Sequence, residues 1–434
     1  MKRLCLLIIP VAFSLFSCQV ALGVERFPPP DFESGHQLPQ TTYPPAREGV
    51  YEYIDVAVLL GALSLSSYLV LRRRSRREIF ALMLFSLLYF GFWRKGCICP
   101  VGAGQNIVLS VFDSSYAVPF VVVLFFLLPL VFTLFFGRTF CAAVCPLGAI
   151  QDLVVLKPTA VPFWLESTLR LLAYLYLGAA VLLAATGSAF IICRYDPFVS
   201  FFRVSGNLNV LIIGACLLVI GVFVGRPYCR FLCPYGVILR QLSRVSKWRV
   251  TITPDECINC RLCEDSCPFG AIRGSTTDWP KRDYNKSKTR LAVLIILAPV
   301  LALSGALATR TASGWLSRAH PTVRLADRVY LEESGKVADT TDASLAFRGS
   351  GKPIEELYTD ASNIQAKIGL GSLIFGVFIG LLIGVKLIKH SIRWHRTGYE
   401  ADRASCLACG RCFDYCPREQ VRLKKIKEGA EGGE

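Results

Sequence analysis

Long apolar runs alternate with short, polar and mostly basic stretches along this chain. Seven of the runs come close to the roughly 20 residues that a helix needs to cross a bilayer. They fall at 54–71, 79–93, 117–136, 170–192, 208–225, 291–308 and 367–388. An earlier apolar stretch follows Lys2 and Arg3 and ends in small residues, which predicts a signal peptide or signal anchor over 1–23. Residues 24–50 hold six prolines and little apolar periodicity, and read as an exported, extended arm.

The polar stretches orient the runs. Arg72-Arg73-Arg74-Ser75-Arg76-Arg77 directly follows the first span, so that end is expected to face the cytoplasm. Alternation then places 137–169, 226–290 and the tail from 389 inside, and 94–116, 193–207 and 309–366 outside. Lys and Arg agree: 13 in 226–290 and 10 in the tail, against 7 in 309–363. The expected localisation is a bacterial inner membrane, multi-pass, with the amino terminus outside.

Composition supports this. Of 434 residues, 53% are hydrophobic and only 18% charged, more apolar surface than a water-soluble fold can bury. The net charge of +16 is accounted for by basic cytoplasmic loops, and no nucleic-acid partner is called for.

Eighteen cysteines are the chemical signal. Cys257, Cys260, Cys263 and Cys267, followed by Pro268, repeat as Cys406, Cys409, Cys412 and Cys416, followed by Pro417. Both read C-x2-C-x2-C-x3-C-P, the spacing that holds 4Fe–4S clusters in bacterial ferredoxins. Structural zinc instead takes two separated C-x2-C pairs. The topology puts both runs on the cytoplasmic side, 250–290 and 389–434 forming two halves joined through spans 291–308 and 367–388 and the exported loop 309–366. In two-cluster ferredoxins the fourth cysteine of a run serves the other cluster. The expected sets are therefore Cys257, Cys260, Cys263 with Cys416, and Cys406, Cys409, Cys412 with Cys267; the alternative is that each run closes its own cluster. Val250-Thr251-Ile252 and Val421-Arg422-Leu423 are expected to supply small strands. The fold class is thus a polytopic α-helical membrane protein of about seven spans plus a signal segment, with a small α+β two-cluster ferredoxin-like domain.

Within the membrane domain, 51–249, a second pattern repeats. Gly137-Arg138-Thr139-Phe140-Cys141-x3-Cys145-Pro146 and Gly225-Arg226-Pro227-Tyr228-Cys229-x3-Cys233-Pro234 each follow an apolar run. Four thiolates at one membrane face can hold a further iron–sulfur cluster, take copper, or cycle as dithiols. Arg138 and Arg226 either steady thiolate charge or mark the membrane interface. Gly96-Cys97-Ile98-Cys99-Pro100 looks like a shortened version on the outer face, where Cys97 and Cys99 could bind metal or exchange electrons. Cys5, Cys18, Cys193 and Cys216 stand singly; Cys18 lies in a loose lipobox.

These four motifs together resemble the NosR- and NapH-type membrane polyferredoxins, and are similar to the CcoG-type proteins of cytochrome oxidase assembly. The resemblance covers about residues 50–425. It implies membrane electron transfer serving an exported respiratory enzyme or its maturation, with electrons drawn from the cytoplasm or a quinone pool. The alternative is a copper-centre assembly factor acting through Cys141, Cys145, Cys229 and Cys233. NosR-type proteins carry an exported flavin domain that this chain lacks, so a separate flavin-bearing subunit is an expected partner. The chain reads as an electron-transfer subunit rather than a stand-alone enzyme. His390 and His395, just past the last span, could serve a quinol site but fit a basic helix end better.

Overall fold

The structure, a computed structural model, describes residues 48–431 apart from 97–98, 160, 205–206, 253–256, 259, 277–283, 338, 393–395 and 397. The signal segment, nearly all of the proline-rich arm, Cys18, Cys97 and His395 lie outside the described residues. Residues up to Ile54 form one unit and Asp55–Glu434 a second.

Among the described residues, four helices are long and apolar enough to cross a membrane: Gly49–Arg73, Trp164–Ala185, Asn285–Thr311 and Ile354–Ser391. The other three apolar runs are also helical but shorter. Arg76–Ser86 continues as a π-helical turn over Leu87–Trp93. Phe120–Phe136 begins after Pro119 and stops at Gly137, whose φ of 73° ends it. Leu208–Gly221 is capped by the Asn207 side chain. The last two are cut short because a cysteine motif begins directly after each.

The fourth apolar run is helical over Phe163–Ala185 rather than 170–192. Apolar count alone misplaced it. Glu166 lies in the first turn, but arginines from two helices neutralise it, and Gly187 at φ 67° turns the chain beyond Thr186.

The loop 309–366 is mostly helical, with Ser313–Ser317, Pro321–Glu333, Asp342–Gly349 and the first turns of Ile354–Ser391. It has its own small core of Val323, Ala326, Val329, Leu357 and Ala361. His320 caps the second of these helices, its Nδ1 accepting from the Thr322 N–H at 3.1 Å. The 284–311 and 354–391 helices pack backbone to backbone. A Cβ on Gly380 would stand 2.0 Å from the Leu301 carbonyl oxygen, and one on Gly305 2.4 Å from that of Gly376. Small residues at four-residue spacing, Gly376, Gly380 and Gly384, permit this approach.

The hairpin returns the chain so that Ile272–Arg273 (β1) pairs antiparallel with Glu400–Ala401 (β2), Ile272 opposite Ala401. This small sheet joins the two cysteine runs. It is not where the sequence predicted strands. Residues 250–252 are irregular, and 421–423 lie inside the helix Pro417–Glu431. Pro417, with its fixed φ, opens that helix instead of breaking the chain.

Candidate iron–sulfur and thiolate sites

Each cysteine run wraps tightly. The residue directly after the second cysteine is left-handed in both, Arg261 at φ 65° and Gly410 at φ 77°, and one helical turn follows, Leu262–Asp265 or Arg411–Tyr415. Backbone N–H groups reach sulfur in both runs. The Ala271 N–H reaches Cys267 Sγ at 3.4 Å, and the Ala408 N–H reaches Cys406 Sγ at 3.4 Å.

The runs interleave. Cys257, Cys260 and Cys263 share one pocket with Cys416, walled by Ile252 and Tyr399. Cys267 packs with Cys406 and Cys409 around Phe269, Ala271 and Leu407, and Cys412 packs with Cys267 and Cys263 around Ile272 and Tyr399. The structure therefore brings Cys416 to the first run and Cys267 to the second. Burial, then the neighbouring Cys257, Cys260 and Cys416, push the Cys263 thiol up to about 11. Burial likewise pushes Cys406 up to about 12, with Cys409 and Cys267 adding to it and the Ala408 N–H opposing. Thiols so raised ionise only against a cationic centre.

The four membrane-motif cysteines, Cys141, Cys145, Cys229 and Cys233, line a second pocket with Phe140 and Tyr235. Cys145 and Cys233 are the N-caps of the helices Pro146–Leu153 and Pro234–Leu242, each with proline at the first position. Donors surround the sulfurs. Gln151 Nε2 donates to Cys229 Sγ at 3.2 Å, the Gly236 N–H to Cys233 Sγ at 3.3 Å, and Arg138 to Cys141 Sγ at 3.6 Å. Burial raises the Cys229 thiol to about 11, with Arg226 opposing. Cys141 also packs against the Cys267, Cys406 and Cys409 group. The second quartet is thus the one next to the membrane quartet, and the first, with exposed Cys260, is peripheral.

Sequence reasoning missed what docks the ferredoxin halves. Asp152, on Pro146–Leu153, meets Arg76 at 2.7 Å, Arg411 at 3.3 Å and Arg226 at 3.4 Å. One buried carboxylate so joins both membrane motifs, the basic run after the first span, and the second cysteine run. Arg74 pairs with Glu419 at 2.6 Å, donates to the Thr251 carbonyl at 2.6 Å and covers the Phe413 ring. Arg230 pairs with Glu166 at 2.7 Å and donates to the Pro268 carbonyl at 3.4 Å. Arg138 and Arg226 are 3% and 0% exposed, so neither marks an interface. A Cβ on Gly225 would stand 2.8 Å from the Pro268 oxygen, which explains that motif's glycine. His390 Nε2 bonds the Ser167 hydroxyl at 2.8 Å.

Two stretches, 118–158 and 207–253, match a family described as a 4Fe–4S binding domain, and 250–273 match another so described. The chain carries 4Fe–4S binding domains. It is homologous to the putative electron transport protein YccM of Escherichia coli, 29% identical over 118 residues, 25% of this chain and 33% of that one. It is also homologous to protein NirI of Paracoccus denitrificans, 31% identical over 26% of this chain and 17% of that one. An uncharacterised protein of Methanocaldococcus jannaschii is 28% identical over 42% of this chain and 77% of its own length. The chain spans a third or less of YccM and NirI. The NosR- and NapH-type resemblance is consistent with these relatives. No solved structure matches the chain.

The residues fit the group this family implies. Among the described residues no three His, Cys, Asp or Glu side chains close on a single ion. The thiols ring pockets instead, as suits a cluster whose irons each take one thiolate.

Proposed function

We propose that this protein moves single electrons between cytoplasmic or quinone-pool donors and an exported respiratory enzyme or its maturation. The observation that carries the proposal is the order of the thiol quartets. A peripheral set (Cys257, Cys260, Cys263, Cys416), of which Cys260 is exposed, adjoins an inner set (Cys267, Cys406, Cys409, Cys412), which packs on Cys141 of the membrane set. When bound, 4Fe–4S clusters would supply one-electron chemistry without a change of substrate bonds. The chain's part is to hold the thiolates at short separations, exclude water from the inner two sets, and set potential through N–H and guanidinium donors to sulfur. The 118–158 and 207–253 matches, which contain the C-x3-C-P cysteines and are described as 4Fe–4S binding, favour iron over copper there. The description of YccM as a putative electron transport protein supports the redox role. The positive-inside pattern supports cytoplasmic ferredoxin halves, and the helical 313–353 segment would then meet an exported redox partner or flavin-bearing subunit.

Anaerobic metal and sulfide analysis of the purified chain tests this. About twelve irons per chain, falling to about eight when Cys229 and Cys233 are replaced by alanine, is expected. Stoichiometric copper, with iron indifferent to those substitutions, overturns it in favour of metallocentre assembly.

A further inference from the structure

A basic group apart from the cysteine motifs gathers where three helices meet. Ser167, Arg170 and Tyr174 recur at helical spacing and share one face of Phe163–Ala185. Two other helices reach that face. From Ile354–Ser391, His390 Nε2 bonds the Ser167 hydroxyl at 2.8 Å, and Lys386, one turn earlier, donates to the Ser167 carbonyl. From Pro234–Leu242, Gln241 Nε2 donates to the Tyr174 hydroxyl at 2.6 Å, which brings its neighbour Arg240 alongside the same helix. Arg170 stands between the two contacts.

The group has more donors than acceptors. Among the described residues, Glu166 is the only carboxylate paired with Arg170, Arg240 or Lys386, and it is shared: it takes Arg170 and, at 2.7 Å, Arg230. The Nε atoms of Arg170 and Arg240 are both buried with no hydrogen-bond partner among the described residues. Burial, and then the guanidiniums of Arg170 and Arg138, hold Arg240 below its ordinary value. Buried donors are costly to leave unpaired, and cations gathered without counterions repel one another. An anion with several acceptor oxygens relieves both. The flanks are apolar and open, since Trp164 and Leu387, on the same two long helices, are exposed.

We propose that Arg170, Arg240 and Lys386 bind the phosphate of an anionic phospholipid whose acyl chains lie along Trp164 and Leu387. Phosphate oxygens accept from several guanidinium and ammonium donors at once. Basic pockets between membrane helices hold anionic headgroups in this way, and the apolar flanks favour a lipid over free phosphate. The lipid ties the end of Ile354–Ser391 to Phe163–Ala185 just before the chain enters β2 and the second cysteine run. It thereby steadies the seat of that ferredoxin half, and it adds nothing to the iron content.

The test uses the full chain purified anaerobically in detergent, stripped of lipid and titrated with phosphatidylglycerol, phosphatidylcholine or inorganic phosphate while thermal unfolding is followed. Phosphatidylglycerol is expected to raise the midpoint, and the other two to leave it unchanged at the same concentration. Lys386→Gln and Arg240→Gln should each weaken the phosphatidylglycerol effect about fivefold with iron content unchanged. Lys367→Gln, exposed at the other end of the membrane-crossing stretch of Ile354–Ser391, should not. Equal stabilisation by phosphatidylcholine, or an effect that both variants retain, overturns the proposal. Stabilisation by inorganic phosphate alone overturns it in favour of a soluble anion. Should the variants fail to fold, native mass spectrometry of the unaltered chain decides: phosphatidylglycerol adducts that outlast those of phosphatidylcholine support the site, and equal loss of the two overturns it.

Discussion

Asp152 shows how one side chain can hold a redox assembly together. Burial opposes its charge, but Arg226, Arg411 and Arg76 hold its carboxyl well below the usual carboxylate range. Removing it would strand three guanidiniums, so Asp152→Ala is expected to cost about 3–5 kcal/mol and to free the 389–431 half. Limited proteolysis in detergent would read this as new cleavage after Ser391, and intact wild-type-like protection would refute it. The pH dependence follows in sign. A carboxyl whose folded value is depressed stabilises fully above its unfolded value, about 3.9, and the stabilisation is lost as pH falls through the folded value. Protection should therefore be flat from about pH 8 to 5 and fail only below about 4; a midpoint near 6 would assign the docking to another group. At the cysteines, Cys416→Ala is expected to abolish the EPR signal of the peripheral cluster and leave the inner one. Cys267→Ala should do the reverse. The opposite pattern would mean that each run closes its own cluster.

At the scale of elements, cysteine and proline punctuation did most of the specifying. Cys99, Cys145, Cys233 and Cys416 each stand immediately before a proline that opens a helix. Spacing made the interleaving of the two cysteine runs readable, because three cysteines on one tight turn let the fourth depart with the next helix. What spacing could not carry was docking. Asp152 and Glu166 look like ordinary polar positions until the arginines arrive from elements 64 to 259 residues away. Arg74 and Arg76 read as a topology signal and also clamp the ferredoxin halves. The strands were misplaced because 421–423 can follow either a strand or helix pattern, and Pro417 decided for helix. The hairpin was legible as two spans, whereas its glycine seam makes it rigid. Gly380→Leu would drive a side chain into the Leu301 backbone. It is expected to separate 284–311 from 354–391 and, since that hairpin returns the second cysteine run to the first, to abolish both ferredoxin signals. A Gly380→Leu chain with both signals intact would show that the halves find each other without the hairpin.

For the whole molecule, the question is whether the series of thiol sets runs across the membrane or along one face. The first quartet includes exposed Cys260 and sits beside the basic helix Pro417–Glu431, while Val101, on the helix that Cys99 caps, lines the pocket of the membrane quartet. If the basic loops face the cytoplasm, the series runs inward to outward and the helical 313–353 segment is exported. Leu345 and Tyr415, 53% and 58% exposed, sit at the two predicted faces. Leu345→Cys should gain labelling by a membrane-impermeant maleimide in intact spheroplasts, above that of the parent chain. Tyr415→Cys should gain it only after lysis. The inverse result would put the ferredoxin halves outside and require electrons to enter from there, because the peripheral quartet is the set that a soluble donor can reach.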